Sequence, residues 1–430
     1  MAFAHAHHDA PHHSKLRCCG QRCWCIYILH PTNILSLFTF LLPPPFPVVS
    51  FAPIVDDSND TNPHLTWKEG EEFFPDIAAI KYEGPSSLNS LAYKHYNADE
   101  IINGKSMEQW LRFGVCFWHT FRGKGSDPFG APTQTRPWDD ESDTLANAFR
   151  RARAAFEFMT KLGVKYYTFH DRDIAPEGKN IDESNANLDA VVDLLETLQQ
   201  DTGIRLLWST QNLFSHPRYM NGGATNPDAH VFAYAASQAK KILEVNHRLG
   251  GENVVFWGGR EGYQSVLNTD VKREVDHMAQ FFKMCLAYRN QIGSKAQFLI
   301  EPKPREPTKH QYDYDAQTVI GFLHTYGLEK DFKLNIEPNH TTLAGHDYEH
   351  DILMSSKWGM LGSVDANTGD PLLGTALCMH VLSVWGWLPL SRVCITFCDT
   401  TLFMKMYLIF LLFSFSCIVR LGYGHVSLGH

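Results

Sequence analysis

The chain has 430 residues and a formal net charge of −9, with 47 acidic and 38 basic side chains. This length fits one large α/β barrel or two ordinary domains, and the acidic balance gives no reason to expect a nucleic-acid partner. Eight of the ten cysteines lie near the two ends, and only Cys116 and Cys285 lie in the long middle. The middle is therefore not a disulfide scaffold, and packing must supply its stability.

Residues 1–65 differ in composition from the rest of the chain. Several histidines and a basic stretch precede an apolar run at 34–42, which three prolines follow directly. Two interpretations stay open, a secretory signal segment and a disordered or untemplated leader. The predicted compartment is accordingly either the cytoplasm or the secretory pathway.

Residues 66–374 alternate short apolar runs with polar, alanine-rich amphipathic segments. The apolar runs predict seven strands, at 113–118, 164–169, 204–208, 254–257, 298–301, 334–337 and 363–365. The segments between them predict helices, among them 186–200, 229–249, 271–290 and 315–326. Such alternation is typical of a parallel sheet covered by helices. It predicts an α/β fold, a (β/α)8 TIM barrel that lacks one strand. A doubly wound sheet is the alternative, disfavoured because no glycine-rich phosphate loop follows a strand.

Three of the predicted strands end on an acid. These are Glu301, Glu337 and Asp365, spaced 36 and then 28 residues apart. The carboxyl ends of successive strands converge on one face of a barrel, where carboxylates can hold a divalent metal. One such acid alone would be interpreted as a strand-end or helix-cap residue, and three in register favour the metal site. His340 follows Glu337 by three residues and adds an imidazole, which suits manganese, magnesium or cobalt.

Two further segments carry candidate catalytic groups. Lys303 stands two residues after Glu301 between prolines that exclude helix, so its charge can act on a substrate oxygen. Alone, it would be interpreted as a solvated loop lysine. His170 opens a His-Asp-Arg-Asp segment, in which a histidine oriented by a carboxylate is a competent acid–base group.

Three tryptophans are predicted to end other strands, and all three can face the same mouth of the barrel. Their rings suit either the C–H faces of a sugar or the barrel core. They are Trp118, Trp208 and Trp257.

Together, these segments closely resemble xylose isomerase, in the longer class of plant and many bacterial enzymes. The resemblance covers about residues 66–374. The matching motifs stand in the family's order, at 117–121, 169–173, 257–263, 301–304, 310–313, 334–340 and 364–367. It implies a homotetrameric (β/α)8 metalloenzyme that interconverts D-xylose and D-xylulose, and D-glucose and D-fructose more slowly.

The resemblance also implies roles for individual residues. It implies two divalent ions per subunit, magnesium, manganese or cobalt. The structural ion is held by Glu301, Glu337 and Asp365, and the catalytic ion by Glu337 with His340. His170 and Asp173 act in opening the cyclic sugar, and Lys303 assists the hydride shift between C2 and C1. Trp118, Trp208 and Trp257 shape the sugar pocket, and Phe129 reaches into a neighbouring subunit's site.

After Gly374 the sequence departs from the family's pattern. The family continues with Trp-Asp-Thr-Asp, whose aspartates complete the catalytic metal site, whereas residues 375–377 here are Thr-Ala-Leu. The family's Asn-Phe-Asp motif near the eighth strand and its C-terminal helical arm are also missing. We therefore expect impaired assembly and at most trace isomerase activity, because Glu337 and His340 alone are too few ligands to hold a hard ion against water.

Residues 375–430 form an apolar tail foreign to the family, as an unspliced intron in a gene would produce. Its run at 402–419 marginally meets the length of a membrane span. Three alternatives to the isomerase follow. They are a catalytically dead sugar-binding pseudoenzyme or assembly partner, a membrane-anchored protein, and a related metal-dependent barrel epimerase or lyase.

Overall fold

The computed structural model describes residues 65–124, 131–367 and 395–397. Residues 1–64 of the predicted leader and the run at 402–419 lie outside these residues. Within the described ranges, no helix is both long and apolar enough to span a membrane. The barrel strands are β1 Gly114–Cys116, β2 Tyr166–His170, β3 Arg205–Thr210, β4 Asn253–Trp257, β5 Gln297–Glu301, β6 Phe332–Ile336, β7 Leu361–Ala366 and β8 Ile395–Phe397.

Helices follow most of these strands. They are α1 Leu145–Leu162, α2 Ile181–Thr202, α3 Ala229–Arg248, α4 Val271–Gln291, α5 Ala316–Tyr326, α6 Pro338–Leu343 and α7 Tyr348–Lys357. The four helices named from the sequence are α2 to α5. The sequence pattern did not single out α1, although Thr144 caps its start and Gly163, with φ +71°, ends it.

The prediction of an incomplete (β/α)8 barrel is confirmed. Strands β1 to β7 are parallel and hydrogen-bonded in chain order. The short β8 lies between β7 and β1 and runs antiparallel to both, with Val364 opposite Phe397 and Val115 opposite Ile395. No parallel eighth strand is present among the described residues.

The first strand is shorter than the sequence predicts. It ends at Cys116, because Phe117 already has helical backbone angles (φ −64°, ψ −38°). A π-helix, Trp118–Arg122, follows directly. Trp118 therefore stands on a helical turn and not at the end of a strand.

Alternation along the strands separates two apolar layers. Phe256, Phe298 and Phe332 face the helices and pack on one another, with ring centroids 5.1 to 6.0 Å apart. Phe256 and Phe332 also pack on Phe282 of α4, each at 5.2 Å. Side chains on the opposite face of the strands fill the barrel interior. There, Leu207, Trp208, Val255 and Leu299 form a buried cluster. Because successive side chains point to opposite faces, the last residue of β5 shares the interior face with Leu299.

Gly362 is a place where the barrel tolerates no side chain. A Cβ there would clash with Leu299 Cδ2 and lie 2.9 Å from Leu334 O. We predict that Gly362→Ala lowers the free energy of unfolding by about 1–3 kcal/mol through overpacking. The measurement is a urea titration followed by circular dichroism.

Gly321→Ala is the matched control. A Cβ there has nothing within 4 Å, and Gly321 lies inside α5. Alanine is favoured over glycine in a helix by up to about 1 kcal/mol, so this variant should be equally stable or more stable. Equal unfolding midpoints for the Gly362 variant and the unchanged chain would contradict the packing described.

Candidate metal centre

Successive strands bring four ligand-type side chains to one end of the barrel. Glu301 ends β5, Glu337 follows β6 directly, and Asp365 is the next-to-last residue of β7. His340 lies on α6, which starts with Pro338 right after Glu337. All four side chains are buried. The structure thus brings together the four residues that the sequence predicts as metal ligands.

Three of the four form a tight group. One ligand atom from each of Glu301, Glu337 and His340 lies within 4.8 Å of the other two. His340 Nε2 is 3.2 Å from Glu337 Oε2, and His340 Nδ1 is 3.5 Å from Glu301 Oε1. Nδ1 is buried and has no hydrogen-bond partner. Two carboxylates and an imidazole with this spacing are a donor set that fits a hard or borderline divalent cation.

Asp365 joins the group through an asparagine. Asn335 Nδ2 donates one hydrogen bond to Glu301 Oε2 at 2.8 Å and another to Asp365 Oδ2 at 3.0 Å. Ser363 Oγ in turn donates to Asn335 Oδ1. Sequence reasoning missed Asn335, although its position two residues before Glu337 on one strand puts both on the same face.

The three carboxylates of this group repel one another. Burial raises the pKa of Glu301 well above its usual range, and the neighbouring charges of Asp365 and Glu337 act in the same direction. Burial lowers the pKa of His340 to about 4, so the imidazole is neutral and keeps a lone pair to offer. A bound divalent cation removes the repulsion among the carboxylates, and these residues therefore fit the metal that the sequence predicts.

The predicted acid–base pair is formed. Asp173 Oδ2 accepts a hydrogen bond from the backbone N–H of His170 at 2.9 Å. The same oxygen lies 2.7 Å from Nδ1 of the His170 ring. Burial alone lowers the pKa of His170, but the charge and hydrogen bond of Asp173 outweigh burial and raise it to about 9. His170 therefore carries a proton at neutral pH.

Lys303 is buried beside the metal group. Its Nζ lies 3.7 Å from Glu306 Oε2 and 5.2 Å from the centroid of the Trp257 ring. That ring is nearly parallel to the ring of His340, with centroids 6.4 Å apart. Lys303, Trp257 and His340 thus form one continuous wall of the site.

Aromatic rings connect the acid–base pair to this wall. Trp208 is the fourth residue of β3, and its buried ring meets His170 edge-on at 6.1 Å. Phe214 contacts both His170 at 5.6 Å and Trp257 at 4.4 Å. Sequence reasoning missed Phe214, because it lies in a loop after β3 with no local motif.

Two predicted pocket residues are placed differently or not described. Trp118 opens the π-helix, and 45% of its surface is exposed. Phe129 lies outside the described residues. The sugar-facing role of both stays a prediction.

Sequence comparisons identify relatives that share the name xylose isomerase. Xylose isomerase of Arabidopsis thaliana is 59% identical over 303 residues, 70% of this chain and 64% of that protein. Xylose isomerase of Rhodopirellula baltica is 59% identical over 301 residues, 70% of this chain and 69% of that protein. Xylose isomerase of Caldicellulosiruptor bescii is 57% identical over 303 residues, 70% of this chain and 69% of that protein. The chain thus spans about two thirds of the length of these relatives.

Other comparisons add little. No family model matches the chain. Among solved structures, 3-keto-D-glucoside 4-epimerase from E. coli is 10% identical, with a TM-score of 0.41 over 65% of this chain and 89% of that chain. That similarity is too low to carry a functional argument.

The His170–Asp173 pair predicts a shift that NMR can measure. We expect Asp173→Asn to lower the pKa of His170 from about 9, because burial is then opposed only by the weaker effects of Cys116 and Asp171. In the unchanged chain, the stability that this pair contributes is complete below pH 6.5 and is lost as the pH rises through about 9.

The measurement is a titration of the His170 ring protons. Asp182→Asn, at an exposed position in the first turn of α2, is the control and should leave the titration unchanged. A His170 pKa that stays near 9 in Asp173→Asn would contradict the assigned cause.

Proposed function

The chain belongs to the xylose isomerase family, and on this premise we propose that it is built as a metal-dependent aldose–ketose isomerase. Its substrates are D-xylose and, more slowly, D-glucose. The observation that supports this best is the convergence of Glu301, Glu337 and His340 within 4.8 Å, beside a buried lysine. Lysine, imidazole and carboxylates at one mouth are what polarisation of a sugar oxygen requires.

The donor set fits a divalent ion, magnesium, manganese or cobalt, at the structural position, and it supplies only part of the ligands of a second, catalytic ion. Glu301, Glu337 and Asp365 would hold the structural ion, and Glu337 with His340 would hold the catalytic ion. Bound there, the metal supplies Lewis-acid polarisation of the sugar oxygens. Asn335 keeps Glu301 and Asp365 side by side through its two hydrogen bonds, so the acids are preorganised for that charge.

The chain's own residues supply the proton and the fixed positive charge. His170 holds a proton at neutral pH and donates it to the ring oxygen of the cyclic sugar, while Asp173 fixes the orientation of the imidazole. Lys303 brings a buried positive charge to the oxygen that becomes negative as hydride moves between C2 and C1. The rings of Trp257 and Phe214 pack against each other between His170 and Lys303, with centroids 4.4 Å apart.

Assembly is part of this proposal. In the homotetramer that the family resemblance implies, Phe129 of one subunit would reach the site of its neighbour, and we expect this assembly to be impaired in this chain.

A second candidate is a pseudoenzyme that binds sugar without turning it over. It is favoured by the replacement of the family's Trp-Asp-Thr-Asp by other residues after Gly374. Transcript sequence across this point separates the two, because recovery of the motif there supports the enzyme.

Metal binding by this chain is the first test. We expect Mn²⁺ to bind and to raise the melting temperature, since an ion that binds only the folded state stabilises it. Glu337→Gln should abolish both effects, because this carboxylate serves both proposed ions. Binding is measured by electron paramagnetic resonance of free Mn²⁺, and stability by calorimetry.

Glu69→Gln, at an exposed position far from α6 in sequence, is the matched control and should bind Mn²⁺ as the unchanged chain does. Undiminished Mn²⁺ binding by Glu337→Gln would overturn the assignment of the site.

Activity is the second test. With saturating Mn²⁺ and D-xylose, we expect at most trace formation of D-xylulose, because the two family aspartates after Gly374 are missing. Saturable heat of D-xylose binding without product would support the pseudoenzyme. Normal turnover would refute the expectation that the ligand set is too small.

A further inference from the structure

A cavity lies apart from the metal centre, and none of its lining residues is a proposed metal ligand. Its volume is about 220 Å³. Arg122, at the end of the π-helix, Arg136 and Arg151 of α1 line it. No step of the proposed isomerisation uses these side chains.

Arg151 is a buried cation with incomplete compensation. Only 4% of its surface is exposed, and its Nε has no hydrogen-bond partner. Its acidic partner, Asp139, stands with Oδ2 3.6 Å from Nη2, which is too far for a hydrogen bond. Asp139 also accepts hydrogen bonds from Asn147 Nδ2 and the backbone N of Glu141. A buried charge normally has closely held, well-oriented partners, and Arg151 has too few.

The three guanidinium groups line one cavity, and the charges of Arg122 and Arg136 act on Arg151. Burial lowers the pKa of Arg151 to about 10, and the positive charges of Arg122 and, more weakly, Arg136 act in the same direction, while the negative charges of Asp139 and Asp143 oppose them. Arg136 Nη2 is anchored to the π-helix by hydrogen bonds to Thr120 O and Gly123 O. Such crowding of like charge is costly without an anion between the groups.

The acids of the lining do not replace that anion. Four basic and three acidic side chains line the cavity. Of these, the buried ones are two basic side chains, Arg136 and Arg151, and one acidic side chain, Asp139. Asp143 is largely exposed, and its Oδ1 is 3.6 Å from Arg122 Nη2. The buried part of the cavity is therefore positively charged.

We propose that this cavity binds a phosphoryl dianion, held by the N–H groups of Arg122 and Arg151. The planar guanidinium fork matches the spacing of phosphate oxygens, and the volume exceeds that of several water molecules at about 30 Å³ each. The phosphoryl group comes either from free inorganic phosphate or from a sugar phosphate. This site is independent of the proposed isomerase function, because none of its ligands is a metal ligand or an acid–base group.

The bound anion stands next to the acid–base pair without contacting it. Arg151 Nη1 lies 3.5 Å from the backbone O of Asp173, and Arg122 ends the π-helix that Trp118 begins. The anion thus fixes a guanidinium that touches the backbone of the Asp173 turn.

The test is calorimetric titration of the full chain with inorganic phosphate, in the absence of divalent metal. We expect saturable binding that sulfate competes away and that acetate does not. Arg151→Met and Arg122→Gln should each weaken binding at least tenfold. Arg153→Gln, an exposed arginine two residues further along α1, is the control and should bind phosphate unchanged.

Arg122→Gln decides the outcome if the buried Arg151 variant fails to fold, since the Arg122 side chain is partly exposed. A pentose 5-phosphate that binds more tightly than inorganic phosphate identifies a sugar phosphate as the ligand, and equal or weaker binding identifies free phosphate. Absence of saturable phosphate binding, or equal affinity in Arg122→Gln and Arg153→Gln, would overturn the proposal. The Mn²⁺ experiments above are unaffected by either result.

Discussion

Repulsion among buried carboxylates at the carboxyl end of the strands is the constraint on which the centre depends. Glu301 and Asp365 are both buried and share one hydrogen-bond donor, Asn335, while Glu337 stands across from His340. Taking such charges out of water is expensive unless a cation or a proton compensates them. The strands that hold these acids are fixed by packing, so the site cannot relax by spreading. The barrel thus imposes the need for positive charge at this mouth.

The sequence predicts the fold well where one residue pattern dominates. Short apolar runs with polar ends predict all seven parallel strands, and the acids at three of those ends predict the metal group. The pattern fails where backbone geometry depends on tertiary context. Helical angles at Phe117 cut β1 short and put Trp118 on a π-helix, and no propensity of these residues signals that turn.

The site was predictable in its charged residues and less so in their supports. Carboxylates, histidines and the lysine stand in motifs, so they are visible in one sequence. Asn335 and Phe214 act through contacts between segments that are far apart in the chain. Asn335 contacts Glu301 and Asp365. Phe214 contacts His170 and Trp257. Only alternation along β6 gave a signal for Asn335, and nothing in the sequence indicated Phe214.

The seam between β7 and β1 has a consequence for the ion as well as for the barrel. Among the described residues a three-residue strand spans it, whereas on its other side β7 pairs directly with β6. Asp365 lies on β7 opposite Thr396, and departure of that strand carries this carboxylate away from Glu301. An ion held by both acids would connect β5 and β7 across the intervening β6. Occupancy of the centre and closure of the ring would then be thermodynamically coupled, and each would strengthen the other.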